Sequence, residues 1–333
     1  MTGIARFRTR HIVIGLVGSI GAAVVVITSI GRFIGFTRIG NTLEGADPRW
    51  LGICVVGQVL VFAGYAGVLR VAFGVGGGAA PPIAESIRLT LASFAATQLF
   101  AFAGVGGLAL VYVALRRDGR DPRSAAVTLV GLNTAVYLVF AVIAFGGASG
   151  AVVLGEAPLS MTLPWLIGVP VVLAVARWFT AAERRCRFGV ADAGVMRRAL
   201  ATGVAAAAWA RDCLFHRKGR RLLWWAACYW VGDVCSLWAA LRAFGAEPSP
   251  TALLTAYTAG YLVQALPVPL IASAGVDAAT TLLLHVVGVP LEIALVGVVA
   301  HRVFAFWLPI VPGSFCAVGL ARERGTNRHV VYD

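Results

Sequence analysis

The stretch QALPVPLIASAGVD, Gln264–Asp277, decides how this chain meets its surroundings. It sets Pro267, Pro269, Gly275 and Asp277 inside an otherwise apolar tract, where a plain membrane helix carries none of them. Proline removes a backbone donor and clashes with the preceding turn, and glycine weakens a helix interior by about 1 kcal/mol relative to alanine. The segment therefore reads as a kinked helix, as a loop outside the membrane, or as a hairpin that enters the bilayer and turns back.

The surrounding chain is 59% hydrophobic and 13% charged over 333 residues, against about 25% charged in an ordinary soluble domain. That composition defines a polytopic membrane protein. Tracts near 12–31, 50–69, 90–115, 124–145, 159–177, 222–241, 251–270 and 290–312 approach the roughly 20 residues needed to cross a bilayer. The first follows RFRTRH and has no small-x-small cleavage pattern, so it reads as an uncleaved helix rather than a signal peptide. The formal charge of +13 suits topology and anionic lipid headgroups rather than nucleic acid. The six cysteines have no ligand spacing, and Cys228 and Cys235 read as small packing residues. No metal or cofactor is expected.

Charge placement tests the topology. If all eight tracts crossed from a cytoplasmic N-terminus, Arg177–Arg221, with eleven Lys/Arg against three acids, would lie outside. So would Arg116–Arg123, with four arginines against two aspartates. Both oppose the positive-inside tendency. A single change repairs both: tract 90–115 enters from the cytoplasm and returns there, with Gly104, Gly106 and Gly107 at its turn. A continuous helix that uses these glycines for close packing is the alternative. By the same logic Gln264–Asp277 breaks a hairpin that enters from outside, and Arg322, Arg324 and Arg328 end inside.

The expected fold is thus all-α: an integral membrane protein with six full crossings and two oppositely oriented re-entrant hairpins in an inverted repeat. The units are about 50–145 and 222–312, with a basic cytoplasmic linker over 178–221 and both termini cytoplasmic. In the linker, the basic clusters and TGVAAAAWA suggest amphipathic helices on the membrane surface, with Trp209 at the interface, or a solvated basic loop. Broken helices meeting near the midplane are a common transporter design, and their unpaired backbone must be buried in protein or line a wet cavity.

The residues also resemble the flippase-like transmembrane family, the lysylphosphatidylglycerol synthase transmembrane region. LPVPLIASAGVD, LLLHVVGVP and HRVFAFWLPIVPG supply Pro267, Pro269, Gly275, Asp277, Gly288, Arg302 and Trp307 in the family's order. In the first hairpin Phe100, Gly104, Gly106, Gly107, Tyr112, Arg116, Arg117 and Gly119 fit. No proline marks the first break, IASAG replaces a glycine pair, and Asp277 stands where a glutamate is usual. The resemblance implies binding or translocation of an anionic phospholipid or lipid-linked substrate at the cell membrane. It gives no synthase activity to this chain, since aminoacylating members carry a separate soluble catalytic domain.

Among single residues, Asp277 and Arg302 form the sharpest pair, because ionised groups at bilayer depth find partners or line a cavity. Either they pair structurally, or Arg302 faces a lipid phosphate while Asp277 positions it. Asp233, in WWAACYWVGDVCSLW, serves local structure or proton coupling, and Gln264 stands at the lip of the second hairpin. Arg116 closes the first hairpin, Glu292 suits a helix start, and His301 reads as an interfacial neighbour of Arg302. Asp233, Asp277, Glu292 and Ser273 make no convincing nucleophile–base set. The functions left open are a flippase-like transporter, a membrane enzyme acting on a phospholipid or polyprenyl headgroup, and a scaffold recruiting a partner through the basic linker. A homo-oligomer and a separate cytoplasmic partner are both compatible with the chain.

Overall fold

The computed structural model describes residues 44–75, 78–99, 105–181, 195–215, 217–265, 272–307 and 312–316. The expected first tract at 12–31 and the basic C-terminus lie outside them. The described elements are helical: α1 (Pro48–Gly74), α2 (Ile83–Leu99), α3 (Val105–Arg117), α4 (Pro122–Leu154), α5 (Leu159–Thr180), α6 (Val195–Phe215), α7 (Arg217–Ala243), α8 (Pro250–Tyr261), α9 (Ala272–Val286) and α10 (Leu291–Arg302). Of these, α1, α4 and α5 are long and apolar enough to cross a membrane. Pro164 and Pro170 lie inside α5, a placement membrane helices tolerate better than soluble ones. Its Ile167, Val171, Val172 and Val175 are exposed, as on a face that meets lipid.

Three helices begin alike, for one local reason. Asp47, Asp121 and Ser249 each precede a proline and accept a backbone N–H of the first turn: Arg49 at 2.9 Å, Arg123 and Ser124 at 3.0 Å, and Ala252 at 3.2 Å. The cap satisfies an orphan donor, and proline at the first helical position has no donor to lose. At its far end α4 stops at Gly155, whose φ of 66° is the left-handed conformation that favours glycine. The Glu156 carboxylate then joins α4 to the start of α8, accepting the hydroxyls of Ser249 and Thr251. These bonds, the Ser249 one first, hold Glu156 below the usual carboxylate range.

The centre of the molecule is an antiparallel pair of helices, α1 and α7. Their ends are joined by Asp47 N–H to the Ala243 carbonyl at 2.9 Å. Along the seam, glycines let the backbones touch: a Cβ on Gly57 would lie 2.8 Å from the Gly232 carbonyl oxygen, and one on Gly64 2.6 Å from Tyr229 N. Small residues at a crossing are how membrane helices gain packing energy where apolar burial offers little, since lipid is as apolar as the protein.

Two short helix pairs flank this seam. α2 and α3 have 17 and 13 residues, α8 and α9 have 12 and 15. At 1.5 Å per residue each falls short of the roughly 30 Å hydrocarbon core. α3 returns along α2, so closely that a Cβ on Gly107 would stand 2.3 Å from Thr97 Oγ1 and 2.5 Å from the Ser93 carbonyl oxygen. α9 returns along α8 in the same way, with Gly260 facing Thr280 Oγ1 at 2.2 Å from a built Cβ. Since α3 already starts at Val105, Gly106 and Gly107 belong to its first turn, and Gly107 serves close packing against α2. Beyond α8 the chain tightens into a 3-10 turn, Leu262–Ala265.

α6 departs from the expectation of surface helices. Its Ala206, Ala208 and Ala210 are buried, and Trp209 packs on Gly131 of α4, where a Cβ would meet the indole at 2.5 Å. An alanine-rich face has little bulk to hold two helices apart, so this segment joins the bundle. Arg120 clamps the end of α1 to α4: its guanidinium donates to the carbonyls of Ala72, Phe73 and Val75 at 3.3, 2.5 and 2.8 Å, and to Thr128 Oγ1 at 2.9 Å. It thereby satisfies the carbonyls left open at the end of α1.

Candidate functional site

Asp233 lies in the middle of α7 and is 6% exposed. It is surrounded by donors from three other elements. Tyr257 and Tyr261, one turn apart on α8, donate to Oδ2 at 2.5 and 3.2 Å. Gln58 of α1 donates to Oδ1 at 3.2 Å, and His301 Nε2 of α10 stands 3.5 Å from the same oxygen. His301 Nδ1 meets Ser236 Oγ at 3.1 Å, and that hydroxyl meets Cys54 Sγ at 3.0 Å. A buried carboxylate is tolerated only when its lone pairs are occupied in this way.

An aromatic wall supports the cluster. The Phe140 and Trp230 ring centroids are 4.5 Å apart, Tyr257 and Tyr261 4.8 Å, and Trp230 and Tyr261 5.6 Å. Trp230 donates its indole N–H to the Val136 carbonyl at 2.8 Å. Rings placed this way exclude water from one side of Asp233 and fix the two tyrosine hydroxyls.

Next in the chain after His301, Arg302 faces the second hairpin. Its Nε contacts both oxygens of Asp277, at 2.9 and 2.8 Å, and its Nη2 also bonds Oδ1. The two side chains are 24% and 25% exposed, so this ion pair opens on a surface while Asp233 does not. α10 changes to a π-helix immediately afterwards, Val303–Trp307. Such an insertion relaxes the helical ladder and is frequent at functional positions.

The structure brings Asp277, Arg302 and Asp233 into one region and leaves other expected residues elsewhere. Gly275 lies on α9 two positions before Asp277, and Gln264 lies in the 3-10 turn. Gly106 and Gly107 open α3, whereas Arg116 is exposed at its far end and donates to the Arg120 carbonyl. Gly104, Pro267 and Pro269 lie outside the described residues. His301 corrects an expectation: it is 8% exposed and faces Asp233 and Ser236 rather than the interface. One helical step turns a side chain by about 100°, so adjacent His301 and Arg302 serve different partners. Gln58, Tyr257, Tyr261 and Ser236 were missed in the sequence. Two signals could have found them, a lone amide in the apolar α1 and a Tyr-x-x-x-Tyr spacing on α8.

Apolar crossing helices, short paired helices and an accessible ion pair beside a buried polar cluster define an all-α polytopic membrane protein. Its particular kinship comes from most of the chain: it belongs to the family described as lysylphosphatidylglycerol synthase TM region, whose model matches residues 12–313. No curated protein matches it. Family membership supports a flippase-like lipid-translocation role, and the match is to a transmembrane region rather than to a synthase domain.

Proposed function

We propose that the chain carries an anionic phospholipid or lipid-linked substrate across the membrane, with Arg302 as the residue that takes the phosphate. The observation that carries this reading is the Asp277–Arg302 pair: a bidentate, partly exposed guanidinium held by a single carboxylate just before the π-helical end of α10. Guanidinium geometry fits a phosphate as well as a carboxylate. Asp277 thus holds the empty site neutral, and a lipid headgroup displaces it.

Six crossings and two opposed hairpins in an inverted repeat form the frame for this movement. The antiparallel α1–α7 pair and two similar short-helix pairs support that frame. So do two corresponding contacts: α4 packs on α8, and residues 312–316 after α10 pack on α2, where a Cβ on Gly313 would meet the Leu91 carbonyl oxygen at 2.4 Å. In this arrangement the two hairpins approach the midplane from opposite sides, and Gln264, Gly275 and Gly106 lie along the route. The test is reconstitution into vesicles with labelled phosphatidylglycerol and polyprenyl phosphate. Wild-type protein accelerates leaflet exchange and Arg302→Ala abolishes the acceleration, whereas exchange equal to protein-free vesicles for both lipids removes the proposal.

A further inference from the structure

We infer that the buried Asp233–His301 pair is a proton-binding site, and that one proton travels with each anionic headgroup taken up at Arg302. This deepens the lipid-translocation reading and rests on it.

The geometry accommodates two protonation states. With His301 neutral, its Nε2–H faces Asp233 Oδ1 at 3.5 Å, and its Nδ1 lone pair accepts the Ser236 hydroxyl at 3.1 Å. When a proton adds to Nδ1, that nitrogen becomes the donor to Ser236 Oγ, and the hydroxyl proton turns to Cys54 Sγ, 3.0 Å away. The Gln58 amide, whose Nε2 lies 3.5 Å from His301 Nδ1, gives up that contact and keeps its bond to Asp233. The tyrosine hydroxyls and the Gln58 amide keep their bonds to the Asp233 oxygens in both states.

Charge supplies the coupling. The groups that face the pair are Cys54 and Gln58 from α1, Tyr257 and Tyr261 from α8, and Arg302, with Asp277 of α9 beyond it. On α7 itself Tyr229 stands a turn away against Tyr65 of α1, and Tyr137 of α4 lies against Trp230. From α6, Arg211 bonds the Thr180 carbonyl and Asp212. In the empty state Arg302 and Asp277 cancel, and Asp233 leaves one net negative charge. A headgroup phosphate at Arg302 adds a second beside the buried Asp233, and a proton on His301 removes it. Binding of either ligand therefore favours the other, as linkage requires. A metal cation is a poor substitute, because N–H and O–H donors already occupy the Asp233 oxygens. Among the described residues no three His, Cys, Asp or Glu side chains group to hold one.

Two measurements test this. Vesicles containing the protein and labelled phosphatidylglycerol are given a pH gradient with the membrane potential clamped. The lipid is expected to accumulate in the leaflet facing the alkaline side, approaching about tenfold per pH unit for one proton per lipid, and Asp233→Asn and His301→Gln abolish the asymmetry. Protein-dependent exchange without asymmetry, asymmetry of the opposite sense, or asymmetry driven by a sodium gradient overturns the inference and leaves translocation standing. Separately, short-chain phosphatidylglycerol is added to the purified protein in weakly buffered detergent. Wild-type protein takes up about one proton per bound lipid, and His301→Gln takes up none while still eluting as a folded species. Lipid binding without proton uptake in the wild type overturns the inference. Uptake without any leaflet exchange in vesicles keeps the proton site and removes translocation instead. Lipid that fails to bind at all removes both.

Discussion

Arg302 and Asp233 illustrate two ways of keeping an ionised group in an apolar molecule. Arg302 has one carboxylate partner and partial exposure, so its bond can be exchanged; Asp233 has four polar neighbours and little exposure, so it stays put. Lysine at 302 provides a point charge without the planar fork. Arg302→Lys is therefore expected to fold with wild-type elution and to lose most leaflet exchange; retention of full exchange would mean that charge alone suffices. Asp277→Asn leaves Arg302 without its counter-charge. Loss of a partner costs about 3–5 kcal/mol when a pair is fully buried, and solvent screening at a quarter exposure reduces this to about 1–2 kcal/mol. A lowered thermal midpoint, restored by added anionic lipid, is the expected result. Tyr257→Phe removes the 2.5 Å bond to Asp233 and should lower stability by about 1.5–3 kcal/mol. These partners show why the site was only half legible in the sequence. Asp277 and Arg302 stand out as charges in apolar tracts, but the environment of Asp233 comes from positions 58, 236, 257, 261 and 301, which no local pattern connects.

Helix starts and stops are set by local sequence, whereas helix contacts are not. Proline after a capping side chain and glycine at a stop are local events governed by backbone chemistry. The role of Gly107 was not, because it depends on Ser93 and Thr97 of the opposing helix. A leucine there must push against the Ser93 backbone, which cannot yield as a flexible side chain would. Gly107→Leu is expected to lower stability by about 1–3 kcal/mol, read as a fall in thermal midpoint in detergent. An unchanged midpoint would show that α2 and α3 are not closely paired. Similarly, the alanine run in α6 signals a helix without indicating whether it lies on a membrane or against α4. The burial of Ala206 and Ala210 answers that question through tertiary packing.

At the scale of the molecule, apolar composition makes the membrane class legible, while charge asymmetry between distant loops makes the topology a definite proposal. Cysteines introduced singly at positions 120, 152, 200 and 246 should be labelled from inside, outside, inside and outside respectively. An outside label at 200 removes the paired-hairpin arrangement. The fold joins pieces of the site from distant parts of the chain: α1 contributes Gln58, while α7, α8, α9 and α10 contribute Asp233, the tyrosines, Asp277 and the His301–Arg302 step. Any relative movement of these helices therefore acts on this cluster. The measurement that tests the central claim most directly is a structure in a phosphatidylglycerol-containing nanodisc. The account predicts a headgroup phosphate about 2.7–2.9 Å from the Arg302 guanidinium, with Asp277 released from it. An intact Asp277–Arg302 pair, with lipid confined to the outer faces of the helices at saturating lipid, would contradict it.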